Sequence, residues 1–358
     1  MLTQPRDHSR VPAVCVLGFL ILGGLATRAQ APATPEADEA AIEEMLHRTS
    51  EAFREKNAER IKASFVENFA GPFRIPKVAQ SVLERITKHA TQISAGYQMD
   101  PLDIVGNRAV GPVEVDLEME FGGGNRRQDK SFMLMIFAKE SGQWLIWSME
   151  RLSMTWNIDD VTANDRMTWA EEGLSFPVPS DWGAYPVDSM ESRRSVMFVS
   201  PDLAAFIGAA FAELPMTMSA NAIVQNHQGI GGMFPGSTFV GTEPVKLAGR
   251  DGVVTKMDLK LGAIPARVES RLFVTGKTVV VASLTVTPAS DVETYRKVFS
   301  DFCSGLTFTP PEAAQGAEIA SKKTFEGSGI AFSAPEGWEI ESFGDDMAKK
   351  RQWLFGAT

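Results

Sequence analysis

Along the first third of the chain the apolar positions follow two periods. Ile42, Met45, Leu46, Thr49 and Phe53 recur at three- and four-residue steps, which sets them on one face of a helix. Ile61, Phe65 and Phe69 predict a short second helix, ended by Gly71-Pro72 because proline cannot continue the ladder. Val78, Val82, Ile86 and Ile93 predict a third. After Tyr97 the period becomes two. Val113, Val115, Leu117, Met119 and Phe121 alternate with Glu114, Asp116, Glu118 and Glu120, the pattern of a strand with one buried and one wet face. Gly122 to Asn125 is a turn signal. A second strand is expected over residues 132–138, a turn at Ser141-Gly142, and a third strand over residues 144–152.

The second half reads mainly as strands. Residues 173–182 predict a strand running into a proline-containing turn. Residues 195–200 and 205–214 are strand candidates, although the alanines of the second also suit a helix. Residues 270–287, rich in Val and Thr, predict a hairpin about Gly276-Lys277. Ser290-Asp291-Val292-Glu293 has the form of a capping box, opening a helix to about Ser304 that Gly305 ends.

Two stretches of the first part, Ala52-Phe53-Arg54-Glu55-Lys56-Asn57 running into Ile61-Lys62-Ala63-Ser64-Phe65, and Lys139-Glu140-Ser141-Gly142-Gln143-Trp144-Leu145-Ile146-Trp147, resemble the nuclear transport factor 2-like superfamily of ketosteroid isomerases and SnoaL-type cyclases. The resemblance covers about 115 residues. It implies a cone-shaped, curled antiparallel sheet with three helices, over residues 38–157. The second part, through Phe176, Pro179 and Trp182 and its closing Gly305-Leu306-Thr307-Phe308, resembles the PsbP-like fold. That resemblance implies an α/β/α antiparallel-sheet domain over residues 165–310, and an α+β class for the whole.

Residues 329–338 restate residues 173–182 at a constant offset of 156. The register holds to Lys349-Lys350 over Arg193-Arg194 and Trp353-Leu354-Phe355 over Met197-Phe198-Val199. Residues 322–358 therefore read as the incomplete start of a second PsbP-like repeat, and the sequence as part of a longer chain. Residues 311–321 read as a linker.

The chain opens with basic Arg6 and Arg10, an apolar run over residues 11–26, and small residues before a cut after Ala29. That run is short for a membrane span, which takes roughly 20 apolar residues, and fits a signal peptide over residues 1–29. An uncleaved N-terminal anchor is the alternative. Residues 30–37 read as a flexible Ala/Pro-rich leader. The expectation is export to the periplasm or outside the cell, with no membrane association after cleavage. The formal charge is −10, and cleavage deepens it by removing Arg6, Arg10 and Arg28 against one acid, Asp7. Such a chain does not suit nucleic acid, whose phosphates call for a basic surface. Beyond residue 29 only Cys303 remains, so no internal disulfide and no Cys-based metal site is expected.

The histidines are His8, His47, His89 and His227, and no pair has metal-ligand spacing. No metal and no cofactor is expected. His89 follows Val82 by seven and precedes Ile93 by four, so it falls on the apolar face of the predicted third helix. It is either a core histidine bonded to backbone or, with Tyr97 and Trp147, part of a ligand site inside the cone. Ketosteroid isomerase-like proteins use a Tyr on the first helix and an Asp after the second. Here the first helix has no Tyr, and Glu67 is the nearest carboxylate to the second position. The acidic edge from Glu114 to Glu120 is expected to pair across a hairpin, Glu120 with Arg126 and Asp116 with Lys130. Gly229 to Gly236 lacks the dinucleotide spacing and reads as a loop. The expectation is a non-catalytic exported protein whose modules bind a small molecule or a protein, a homodimer among its assemblies. The alternatives are a cavity lyase or isomerase using His89 as acid and base, and an assembly factor.

Overall fold

The computed structural model describes residues 34–67, 76–188, 194–214, 219–220, 222–225, 237–261, 263–288, 291–309, 323–327 and 330–334. Residues 1–33, Phe69, Gly71-Pro72, His227, the cluster from Gly229 to Gly236, Ser290, residues 311–321, Lys349-Lys350 and Trp353 to Phe355 lie outside the described residues.

The N-terminal part runs α1 (Pro35–Arg54), α2 (Ala58–Lys62), α3 (Pro76–His89), β1 (Ala90–Met99), β2 (Asp103–Val105), β3 (Arg108–Phe121), β4 (Asn125–Glu140) and β5 (Gln143–Leu152). There follow α4 (Ile158–Val161), β6 (Thr162–Ala163), β7 (Arg166–Trp169), β8 (Leu174–Pro177), β9 (Gly183–Asp188), β10 (Arg194–Val199) and β11 (Ala205–Glu213). The C-terminal elements are β12 (Thr238–Leu247), β13 (Arg250–Leu261), β14 (Ile264–Thr275), β15 (Thr278–Val286), α5 (Val292–Gly305), β16 (Thr307–Phe308), β17 (Lys323–Gly327) and β18 (Ile330–Ala334). The class is α+β, with mostly antiparallel sheet.

Local chemistry accounts for α1. The Thr34 hydroxyl caps it by accepting from the Ala37 N–H at 3.3 Å, Pro35 opens it, and Glu36 and Asp38 sit in its first turn, where the helix dipole favours negative charge. Its buried face carries Ile42, Met45, Leu46 and Thr49 as the spacing predicts, while Phe53 is half-buried.

Three expectations are corrected. Phe65 does not extend the second helix, which stops at Lys62. It forms a parallel bridge to Ile146 instead, with the Val66 N–H donating to the Ile146 carbonyl at 3.1 Å. Ile93 lies in β1, because pairing with β3 from Ala90 onward extends the chain. Among the described residues α5 begins at Val292 after Asp291, whose side chain makes no cap bond, and it includes Gly305. Gly305 has a packing role: a Cβ there would stand 2.8 Å from the Pro177 ring.

One 12-stranded sheet runs β1-β3-β4-β5-β9-β10-β11-β15-β14-β13-β12, with β2 beside β3. The halves join where Arg151 and Leu152 of β5 pair with Asp188 and Val187 of β9. The hairpin about Gly276-Lys277 is present, Thr275 opposite Thr278, with Gly276 at a φ of 59° that favours glycine. In the β3–β4 hairpin Glu120 faces Arg126 and Asp116 faces Lys130, as expected. The Lys130 ammonium nevertheless pairs with Glu114, at 2.7 Å.

The sheet curls on itself. β3 and β15 stand six strand positions apart, roughly 29 Å across a flat sheet at about 4.8 Å per strand. Yet Arg108 of β3 donates to the carbonyl that follows β15, at 2.7 Å. The curl creates separate cores. Met133, Met135 and Phe137 of β4 join Ile42, Met45 and Trp144 beneath α1. Leu134, Ile136 and Ala138, on the other face of β4, pack with Val199, Leu203 and Phe206 between the halves. A third core sets Trp169 and Phe176 of the four-stranded sheet β16-β8-β7-β6, and Phe299 and Phe302 of α5, against Phe198, Ile207 and Phe273.

The repeated segment has a counterpart in the pairing. β7 and β8 set Met167 opposite Phe176, and β17 and β18 set Phe325 opposite Phe332, which the offset of 156 places over Phe176. At that offset Phe325 stands over Trp169, so the pairing of the second hairpin is shifted by two residues relative to the first.

Candidate functional site

His89, Tyr97 and Trp147 occupy three different surroundings. His89 is the last residue of α3 and is exposed. Tyr97 on β1 is half-buried against the core beneath α1 and donates its hydroxyl to the Glu43 carbonyl at 3.0 Å. Burial raises its phenol above the ordinary value, and Glu43 and Glu44 add to the effect. Trp147 is buried in the core between the halves. There it stacks on Phe206 at 5.9 Å, with its indole N–H lacking a hydrogen-bond partner among the described residues. A bulge decides this. Ile136 pairs with Ser148 and Phe137 with Ile146, so Trp147 is the extra residue of β5.

The two motifs of the first part tie helix to sheet. Asp38 on α1 accepts from the Lys139 ammonium at 2.6 Å and the Trp144 indole N–H at 3.0 Å. Burial works to raise this carboxyl, but the two donors outweigh it and hold Asp38 below its ordinary value. At the other end of α1, Arg54 donates to the Ala95 carbonyl at 2.8 Å and the Lys56 ammonium reaches those of Ala90 and Thr91 at 3.3 Å. These residues serve architecture.

A cleft of about 350 Å³ opens where the turn between β10 and β11 meets α5. Trp182, Pro201 and Val298 form its apolar walls. The Trp182 and Tyr295 rings meet edge to face at 6.2 Å. Asp202 stands at the cleft and is held by three donors: the Ser200 hydroxyl at 2.6 Å, the Ala204 N–H at 3.2 Å, and the Tyr295 hydroxyl. Burial tends to raise this carboxyl, and the hydrogen bonds overcome it, so Asp202 lies below the usual carboxylate value and is ionised at neutral pH. Tyr295 moves strongly upward, through burial and then the bond to Asp202, and stays protonated. Behind the turn, Arg108 donates to the carbonyls of Leu203 at 3.3 Å and Thr287 at 2.7 Å. Burial lowers its guanidinium from the ordinary value, against the pull of Asp202, yet an arginine remains cationic at neutral pH.

Within the Phe-x-x-Pro-x-x-Trp segment, Phe176 and Pro179 are buried and Trp182 lines the cleft. Asp202 and Tyr295 gave no sequence signal. They stand 93 residues apart, and only the fold brings them together.

A second cleft, of about 540 Å³, is lined by Glu36, Glu39, Glu43 and Tyr97. Among the described residues, no three His, Cys, Asp or Glu side chains gather to hold a metal ion, and no helix is long and apolar enough to cross a membrane. Burial pushes the Cys303 thiol up to about 12, so it is not a thiolate at neutral pH.

The chain is thus an α+β protein, with clefts beside Trp182 and beside Tyr97 among the described residues. No protein-family model matches it, and no curated protein does. Solved structures do. A candidate scytalone dehydratase from Novosphingobium aromaticivorans is 16% identical, over 34% of this chain and 90% of its own, with a TM-score of 0.29. A candidate dehydratase of the NTF2-like family from Streptomyces avermitilis is 10% identical, over 32% and 95%, with a TM-score of 0.28. Cyanobacterial PsbP from Synechocystis is 12% identical, over 44% of this chain and 100% of its own, with a TM-score of 0.34. The N-terminal part is similar to NTF2-like proteins, and a larger portion to cyanobacterial PsbP.

Proposed function

We propose that the chain is an exported, non-catalytic binding protein, recognising a small molecule or a protein on its surface. In this reading residues 1–29 are a signal peptide. An NTF2-like unit over residues 38–157, its sheet curled into a cone with three helices, precedes a PsbP-like unit over residues 165–310. The observation that supports surface recognition is the filling of the N-terminal interior. Met133, Met135, Phe137 and Trp144 occupy the space beneath α1, and His89 stands outside it. The Trp182 cleft has the size of a ligand site, at the lower end of the roughly 300–1,000 Å³ common for one.

The test has two readouts. Expression of the full chain in a bacterial host, fractionation and N-terminal sequencing should give protein beginning at Gln30 outside the cytoplasm. Mixing that protein with a library of small molecules, followed by NMR, should show resonances near Trp182 shifting while the spectrum of the bound compound stays unchanged over a day. Conversion of the compound would overturn the non-catalytic reading, and intact Met1 on cytoplasmic protein would overturn export.

A further inference from the structure

We infer that the Trp182 cleft binds a weakly hydrated organic cation, a quaternary ammonium or guanidinium head, between the indole of Trp182 and the carboxylate of Asp202. This rests on the binding reading above and deepens it. Of the described residues that line the cleft, Asp202 alone carries a charge. Three donors hold the carboxylate, Ser200 and Ala204 on one oxygen and Tyr295 on the other. A carboxylate offers about four acceptor positions, so three donors leave one for a ligand. The nearby positive charge, Arg108, is buried and donates to the Leu203 and Thr287 carbonyls.

The walls select the kind of cation. A small metal ion or primary ammonium loses much hydration against Pro201 and Val298, whereas a guanidinium or substituted ammonium loses little. Such cations are attracted to an aromatic face, and tryptophan is the best of these. The Trp182 and Tyr295 rings lie nearly perpendicular, at 81°, so they do not stack face to face. The chain's formal charge of −10 attracts cations at long range. The head group could be free or carried on the side chain of a peptide, and the chemistry at the cleft is the same.

Protein carrying ¹⁵N-labelled tryptophan, with the Trp182 indole resonance assigned through Trp182→Phe, tests this. The probes are choline chloride for a free cation, the blocked tripeptide Gly-Arg-Gly for a peptide-borne one, benzyl alcohol for an apolar ligand, and sodium chloride at matched ionic strength. The expected result is a saturable shift with choline or the tripeptide and none with sodium, the tighter of the two naming the source. Asp202→Asn should weaken it at least tenfold. Thr294→Lys, which adds an ammonium at an exposed lining position, should do the same without touching the core. It decides the matter should Asp202→Asn fail to fold. Saturation by benzyl alcohol alone overturns the cation assignment and leaves the binding reading standing. No saturable shift with any probe overturns both for this cleft. Unchanged choline affinity in Thr294→Lys also overturns the assignment.

Discussion

The guanidinium of Arg108 donates to the carbonyl oxygen of Thr287 at 2.7 Å, across 179 residues of chain. Its other terminal nitrogen donates to the Leu203 carbonyl at 3.3 Å. One side chain from β3 therefore satisfies two backbone acceptors of the C-terminal half, beside a core that both halves supply. Arg108→Met leaves those carbonyls buried and unpaired, at about 1–3 kcal/mol. The expected outcome in hydrogen exchange is faster exchange in β4 and β11 together. A loss confined to β3 would show that the halves open independently.

Asp38 gives a pH dependence of known sign. Its folded value lies below the ordinary one, so the stability it adds is present above the ordinary carboxylate value and lost as pH falls through the folded value. Melting temperatures of the natural chain and Asp38→Asn, taken between pH 6 and pH 3, should differ at the upper end and converge at the lower. A gap that does not change with pH would mean that the ionised carboxylate contributes nothing. Trp144→Phe removes one donor to that carboxylate and should cost about 1.5–3 kcal/mol at pH 6.

Gly305 is required by contact with a neighbour. Its added Cβ would meet Pro177 Cγ at 2.8 Å and Cδ at 2.9 Å. A proline ring cannot rotate aside, so Gly305→Ala should shift α5 against β8 and destabilise by about 1–3 kcal/mol in chemical denaturation. Pro177→Ala in the same chain should recover part of the loss.

His89 stands exposed at the end of α3, so His89→Gln should leave the melting curve within about 0.5 kcal/mol of the natural chain. A larger loss would show that His89 has a partner in solution that its exposed position does not supply.

Much of the element order was legible because the signals are local. The face of α1, the alternation of β3 and the turns at Ser141-Gly142 and Gly276-Lys277 each arise within a few residues. The register of the β3–β4 hairpin followed from its turn, which placed Glu120 opposite Arg126. β12 and β13 gave no such signal: β12 buries only Leu247 fully and mixes Thr, Glu, Pro and Lys among its apolar residues. The end of α3 was misplaced because the pull of β3 on Ala90 and the residues after it is invisible to helical spacing. Of the cleft, Trp182 belonged to a recognised segment, and Asp202 and Tyr295 did not.

The sequence by itself determined the period of each segment, the acidic balance, the single cysteine beyond residue 29 and the restated segment at residues 329–338. It also held a sign of the larger architecture. Residues 132–138 are apolar at every position, as befits a strand covered on both faces. What covers the second face was decided only in three dimensions. Leu134 and Ile136 meet Val199, Leu203 and Phe206, and Trp147 is turned toward them by a bulge. Contacts between residues so far apart depend on how a 12-stranded sheet curls, and that curl is the sum of many small twists and pairings. No local pattern encodes such a sum, so the join between the halves and the cleft beside it exist only in the folded chain.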